Sequence, residues 1–583
     1  MDIVLAVSNY VGKMVSADGA AGSSGKMKIL LLDSETVSIV STAITQSALL
    51  GHEVYLIDRL DNADREKMRH LRCLCFVRPS SDAIQLLIDE FRDPKYGEYH
   101  IYFSNIVKKS ALERLAEADD HEVVRVVQEY FADYLVINPD LFALSLGGPQ
   151  RRIWSSSPDM WNTDSLSRAA DGVLAVLLSL KKKPLIRYEK NSALAKKLAA
   201  EVRYQIGQED QLFDFGRRAD TPPILLILDR RNDPITPLLS QWTYQAMVHE
   251  LLGIQNGRVD LSEVPDVRPE LKEIVLSQDQ DPFFKKNMYL NFGDLGGNIR
   301  EYVDQYQHKT KSNMNIESIA DMKRFVEEYP EFRRLSGNVS KHVTLVGELS
   351  RRVEKHNLLE VSELEQSLAC NDSHATDLKT IQRLLQSNIP HENKVRLVAL
   401  YSLRYGSTNN SAISVLLDLL AVNGVPQGRV NVIPNLLTYQ ASVKRQDVVS
   451  KAESIFSLAR TGFKGLKGVE NVYTQHVPRM EQVLNDLIKG RLSQQTHPFV
   501  EGTGTREKPQ DVIVFMVGGT TYEEAKLIAQ VNAATPGVRV VLGGTSVLNS
   551  RTFLDEIDDI VPTWPAPEPA TAAGRLRREV GGR

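Results

Sequence analysis

An α/β architecture, with two open parallel-sheet domains of flavodoxin type and a large, mainly helical insertion, follows from three observations on this chain of 583 residues. Between Lys28 and Ile254, short runs of branched apolar residues alternate with amphipathic stretches, the pattern of repeated βα units. The alternation then ceases between residues 255 and 510. Two apolar runs, VIVFMV and VRVVL, return near the end, and isolated buried strands need a sheet to join. The economical solution sends them back to the sheet that holds ILLIL (224–228), so the second α/β domain is discontinuous and the helical stretch is inserted into it.

Taken in order, residues 2–15 predict a helix with Ile3, Val7, Tyr10 and Met14 on one side, followed by a small, flexible run, ADGAAGSSGK. The first domain, 1–138, then reads as the strand ILLLD, a helix closed by Gly51, the strands VYLID and LCFV, a helix from Ile84 to Phe91, the strand HIYF, two short helices, and a last strand, DYLVI. In those two short helices, Ser110 and Glu113 stand at capping-box spacing and set Leu112, Leu115 and Ala116 on one face, while Asp120 caps a helix presenting Val123, Val126 and Val127. The second domain, 139–250 and 505–562, has a helix at Leu166–Leu180, the strand PLIRY, a helix at Ala193–Ile206 and the central strand ILLIL. After that strand come DRRNDP and Thr236-Pro237, an N-cap followed by proline at a first helical position. Tyr244, Met247, Val248 and Leu251 then recur at helical spacing, and Gly253 offers a stop.

The insertion, 251–504, contains a hairpin near 295–356. One arm has Leu295, Ile299, Tyr302, Val303 and Tyr306 on one face; the other has Ile319, Met322, Val326 and Tyr329, then a seam through Phe332, Leu335, Val339, Val343, Val346, Leu349 and Val353. Pro330 interrupts the second arm and lacks the N–H that would bond to the carbonyl of Val326, so a break or kink is expected there. The tail, 563–583, is rich in Pro and Ala and is expected to be disordered.

Composition narrows the function. A formal charge of −4, with no domain-sized basic stretch, argues against nucleic-acid binding. Three cysteines, Cys73, Cys75 and Cys370, build neither a disulfide framework nor a structural zinc site and fit a reducing, cytoplasmic compartment. No apolar run approaches the ~20 residues of a membrane helix, so direct membrane insertion is not expected. GAAGSSGKM (19–27) imitates a phosphate loop, but five residues rather than four separate Gly19 from Gly25, and Met follows Lys26 where Ser or Thr would bind metal. Asp33, Asp58 and Asp229 end apolar strands without the second acid of a metal site, and the two GGT turns, 518–520 and 543–545, read as tight strand-to-helix connections. No catalytic residue, cofactor or metal is expected.

DRRNDPITPLL followed by TYQAMVHELL resembles the signature of the SM (Sec/Munc) family, as do ILLLDSETVSIVSTAI (29–44), VFMVGGTTYEEA (514–525) and VVLGGTSVLNSRTFL (540–554). GLKGVENVYTQHVPRM (465–480) is similar to the family's vacuolar-protein-sorting branch, which serves the trans-Golgi network and endosomes. The resemblance spans residues 1–562 and implies an arch-shaped, non-enzymatic protein that chaperones SNARE assembly and promotes vesicle docking and fusion. It would associate peripherally with Golgi and endosome membranes through a syntaxin-type SNARE and an assembling SNARE bundle that includes a vesicle SNARE. It further implies a syntaxin N-peptide pocket at Leu112, Leu115, Ala116, Val123, Val126 and Val127, a SNARE cleft whose wall includes Arg59 and Asp61, and a hairpin hinge at Pro330. The alternatives left open are a nucleotide-dependent switch or enzyme on the same sheets, and a passive tethering subunit without SNARE contact.

Overall fold

The computed structural model describes residues 1–16, 27–216, 220–278, 280–314, 319–408, 411–443, 472–502, 508–567 and 574–576. The phosphate-loop imitation up to Lys26 and residues 465–471 of the family-like segment lie outside them.

The first sheet has five parallel strands: β1 (Lys28–Leu32), β2 (Val54–Arg59), β3 (Met68–Val77), β4 (Tyr96–Phe103) and β5 (Val124–Glu129). Their order is β2-β1-β3-β4-β5, the flavodoxin arrangement. β1 and β3 are buried because helices cover both faces, which explains their unbroken apolar runs.

β5 corrects the expectation of a second short helix at Asp120. Asp119, not Asp120, caps the turn: its carboxylate accepts from the N–H groups of Val123 (2.9 Å) and Val124 (3.0 Å). Glu122 adopts φ 52°, which turns the chain, and the β-branched valines that follow pair with β4. The helix before it spans Lys109–Ala118 with Lys108 at its N-cap and no side-chain cap, so Ser110 and Glu113 form no capping box.

The second sheet runs β6-β7-β13-β12-β9-β8, built from β6 (Leu135–Asn138), β7 (Leu141–Ala143), β8 (Leu185–Tyr188), β9 (Ile224–Asp229), β12 (Asp511–Val517) and β13 (Arg539–Gly544). The two late strands pair in parallel with β9 and with each other, as the sequence requires. β6, expected to close the first sheet, instead forms an antiparallel hairpin with β7 in the second. A boundary at residue 138 therefore falls inside a hairpin.

After β9 the chain makes two 3-10 turns, Arg230–Asn232 and Thr236–Leu238, and the helix starts only at Tyr244. Thr236 does not begin it, because Asp233 caps the turn by accepting from the Thr236 N–H (3.1 Å) and hydroxyl (2.6 Å).

Most of the helical region lies between residues 282 and 488, and a small hairpin, β10 (Arg258–Asp260) and β11 (Glu273–Val275), precedes it. The second arm of the long hairpin is one helix, Ile319–Lys355, with Pro330 inside it. The helix does not break at the proline. Pro330 and Val326 are exposed, so solvent can satisfy the carbonyl that the missing N–H would have bonded. The buried stripe of this helix is Val339, His342, Leu345 and Leu349; Val343, expected in the seam, is exposed. Its base is pinned by His342, which bonds the Tyr244 hydroxyl and the Asp281 carboxylate at 2.6 Å each.

The tail is ordered at its start. Trp564 is buried against Trp154 (centroids 5.8 Å apart) and stacked on Tyr439, contacts that offset the entropy of ordering it, while residues 568–573 and 577–583 of the tail lie outside the described residues. Among the described residues no helix is long and apolar enough to cross a membrane.

Candidate binding cleft

The C-terminal ends of β1 and β2, the loop after β7 and the helix Ser550–Ile560 enclose a cleft of about 1240 Å³. One wall is set by Asp33 at the end of β1. Its carboxylate accepts from the N–H groups of Glu35 (3.0 Å), Thr36 (2.8 Å) and Arg78 (2.6 Å), which fixes the turn into the helix Thr36–Ala43 and points Ser34, Ser38 and Thr42 at the cleft. Beneath that turn lies a charged cluster. Arg78 bridges Asp133 (3.1 Å) and Asp171 (2.9 Å), and Arg168 pairs with Asp133 (3.3 Å), which ties the first sheet to the helix Thr163–Leu180. Burial would raise the Glu35 carboxyl, but Arg168, Arg78 and Arg151 outweigh it and hold the group below its ordinary range.

The opposite wall is the loop Leu144–Arg151 with Thr552, Asp555 and Glu556. Arg152 grips Asp559 through two bonds of 2.7 Å and fixes this loop against the last helix. At the floor, the buried Asn138 bonds Gln245 (3.1 Å) and the half-buried Tyr289 (2.9 Å) and Gln278 (2.8 Å), a polar set joining β6 to the start of the helical region. The cleft thus has a rigid frame with serine, threonine and apolar side chains facing inward, the surface of a binding groove.

The strand-end carboxylates hold structure together. Asp229 takes Arg231 (2.7 Å) and the Ser192 hydroxyl (2.6 Å), and Asp58 accepts from the Arg59 N–H (2.7 Å) and Asn62 (3.0 Å). In the GGT turn after β12, Gly518 has φ +93° and lies against Arg230, where a Cβ would sit 2.8 Å from the arginine Cβ. Thr521 and Glu524 then form a capping box, and Glu524 also binds Arg230. In the second GGT turn the Thr545 hydroxyl accepts from the Gly518 N–H (3.1 Å) and joins the two turns, while Asn549 caps the helix that follows.

A sequence profile described as the Sec1 family matches residues 28–556. The chain belongs to the Sec1 family. Vacuolar protein sorting-associated protein 45 of Schizosaccharomyces pombe is 52% identical over 562 residues, covering 96% of this chain and 99% of that protein. Its counterpart in Mus musculus is 48% identical over 561 residues, covering 96% of each. The solved structure of the SM protein Vps45 in complex with the Qa SNARE Tlg2 (1-310) superposes with a TM-score of 0.90 at 66% identity, covering 97% of this chain and 100% of that one.

Against the sites that Sec1-family resemblance implied, the fold separates residues that sequence spacing grouped. Leu115 is 7% exposed and packs in the core of the first sheet, with Leu112 and Val123 half-buried beside it. Val126 and Val127 alternate on β5, so Val126 packs on the opposite side of the sheet, and Val127, 46% exposed, faces solvent with Ala116. The six therefore do not form one groove. Arg59 and Asp61 bind each other at 2.5 Å in solvent just past β2; the cleft wall there is Ile57. Pro330 lies toward the tip of the hairpin, beside the exposed Met322, Val326 and Tyr329. The loop 144–151 and the helix face at 552–556 were missed. No periodicity marks them, because their place in the cleft comes from the return of β13 beside β7.

Proposed function

We propose that this Sec1-family chain is a regulator and chaperone of SNARE assembly that seats a syntaxin-type Qa SNARE in the cleft and promotes vesicle docking and fusion in trans-Golgi, endosomal and vacuolar transport. The observation that carries the reading is the near-full-length likeness, at 66% identity, to a Vps45 solved with the Qa SNARE Tlg2. The rigid, partly polar cleft suits a helical occupant. Action without catalysis is supported by the spent state of the strand-end carboxylates, each held in a turn or an ion pair. Attachment to Golgi and endosome membranes would come through the SNAREs.

We place the N-peptide contact on the exposed surface of Leu112, Ala116, Val123 and Val127, with Leu115 beneath it and Val126 left out on the far side of the sheet. The tip of the helix Ile319–Lys355 around Pro330 is the candidate groove for a vesicle SNARE. A three-part division is kept, with the first boundary moved ahead of Leu135. The test is calorimetric titration of the purified chain with the Tlg2 cytosolic fragment (1-310). Saturable one-to-one binding is expected; no binding at tens of micromolar removes the reading.

A further inference from the structure

Six charged side chains line the cleft: Glu35, Arg151, Arg168, Arg258, Asp555 and Glu556. Five have an opposite charge on this chain. Arg151 pairs with Glu35 (3.3 Å), Arg168 with Asp133 (3.3 Å), Arg258 with Glu273, and Asp555 with Arg429 (2.9 Å). Glu556 has none among the described residues. It is 8% exposed, and its Oε1 is buried without a hydrogen-bond donor. A buried carboxyl oxygen without a donor is costly, and a group of this kind on the wall of a cleft calls for an explanation.

The geometry beside it fits an arrival from the cleft. Gly147, on the facing loop, has φ +118°, and a Cβ there would stand 3.4 Å from Oε1 and 3.6 Å from Oε2. Glycine therefore keeps a side chain from packing against the carboxyl on the side where both residues line the cleft. The other charged or titratable groups near it are Asp559, on its own helix and already held by Arg152, and Tyr439, from the helix Val432–Ala441. Neither supplies a cation.

We propose that Glu556 is a specificity-determining acceptor for a lysine or arginine side chain on the SNARE segment seated in the cleft. The proposal rests on the functional reading above. Burial, with Asp559 adding to it, pushes the empty carboxyl up to about 8, so it is largely neutral at pH 7. An incoming cation stabilises the carboxylate, the proton leaves to solvent, and an ion pair forms in a site closed to water. Binding therefore releases a proton and strengthens as pH rises toward 8.

The test titrates the Tlg2 fragment (1-310) into wild type and Glu556→Gln at about pH 6.5 and about pH 8.5, with basic residues of the fragment replaced singly by methionine; one pH unit of linked protonation is worth at most about tenfold in affinity. Wild type is expected to gain severalfold in affinity at the higher pH, and Glu556→Gln to lose at least about tenfold there and to show no pH dependence. One basic residue of the fragment should couple to position 556 in a double-mutant cycle. If Glu556→Gln unfolds, wild-type heats in buffers of different ionisation enthalpy decide instead: proton release is expected, and none overturns the proposal. Equal affinity and pH response in Glu556→Gln, or no coupled basic residue, sinks the role of Glu556 and leaves cleft binding standing. Failure of wild type to bind at all overturns both.

Discussion

The two sheets share a parallel architecture, yet the carboxyl ends of their strands are put to opposite uses. At β8, β9 and β12 of the second sheet they are sealed by ion pairs: Arg230 with Glu524, Arg231 with Asp229, and Arg479 with Glu189. Burial would raise the Glu189 carboxyl, but Arg479 and His497 hold it well below the carboxylate range. The ends of β1 and β2 in the first sheet, joined by the end of β7 in the second, open into the cleft, with Ser34, Ser38, Ile57 and the loop Leu144–Arg151 on its wall. The same crevice that hosts ligands in open α/β sheets is thus filled with scaffold in one half and left for a partner in the other.

The largest effect should come from breaking a sealed end. Arg230→Met leaves Glu524 charged, buried and unpaired, at a cost of about 3–5 kcal/mol, seen as a lower midpoint in denaturant unfolding. Ser38→Ala at the open end should stay within about 0.5 kcal/mol. Nearly equal midpoints would erase the distinction between the two ends.

Leu115→Arg comes next. A guanidinium forced into the core of the first sheet should cost about 3 kcal/mol or more, because the residues packed around Leu115 are apolar. Val127→Asp, on the exposed strand face, should leave the melt unchanged and weaken N-peptide binding measured by fluorescence anisotropy. If Leu115→Arg melts like wild type, the packing of the helix Lys109–Ala118 is wrong.

Glu556 sharpens the comparison through pH. Its carboxyl is raised in the folded chain, to about 8, over an unfolded value of about 4.5, so the folded state holds the proton more tightly. Its contribution is fully present below the unfolded value and is lost as pH rises through the folded one. Glu556→Gln should therefore gain on wild type between about pH 5 and 8, by on the order of 3 to 4 kcal/mol at ~1.4 kcal/mol per pH unit, read from urea midpoints. A gap that does not change with pH contradicts it.

The smallest effect is expected at the hairpin. Proline costs a helix interior ~3 kcal/mol relative to alanine, but Pro330 is exposed and the helix already runs through it, so most of that cost is met by solvation. Pro330→Ala should raise amide protection between residues 326 and 334 and strengthen vesicle-SNARE binding severalfold. Unchanged protection with unchanged binding removes the hinge.

Much of this was legible in the sequence because buried parallel strands are written as unbroken apolar runs: ILLLD, LCFV, HIYF, ILLIL, VIVFMV and VRVVL all became strands. The misreadings share one cause, competition between local signals and tertiary pairing. Val123-Val124 and Val126-Val127 satisfy helical spacing as well as strand spacing, and only the edge of β4 decides between them. Thr236-Pro237 carries a helix-start signal that Asp233 overrides. Pro330 carries a break signal that solvent exposure cancels. The cleft was least legible, since Gly147 and Glu556 stand 409 positions apart and meet only through the sheet.

The most direct test of the central claim, that the open end binds while the sealed end supports, is amide hydrogen exchange of the full chain with and without the Tlg2 fragment (1-310). The account predicts new protection at 34–45, 144–151 and 552–556, and none at 229–236. Protection confined to the sealed ends, or absent from the cleft while the fragment is bound, would contradict it.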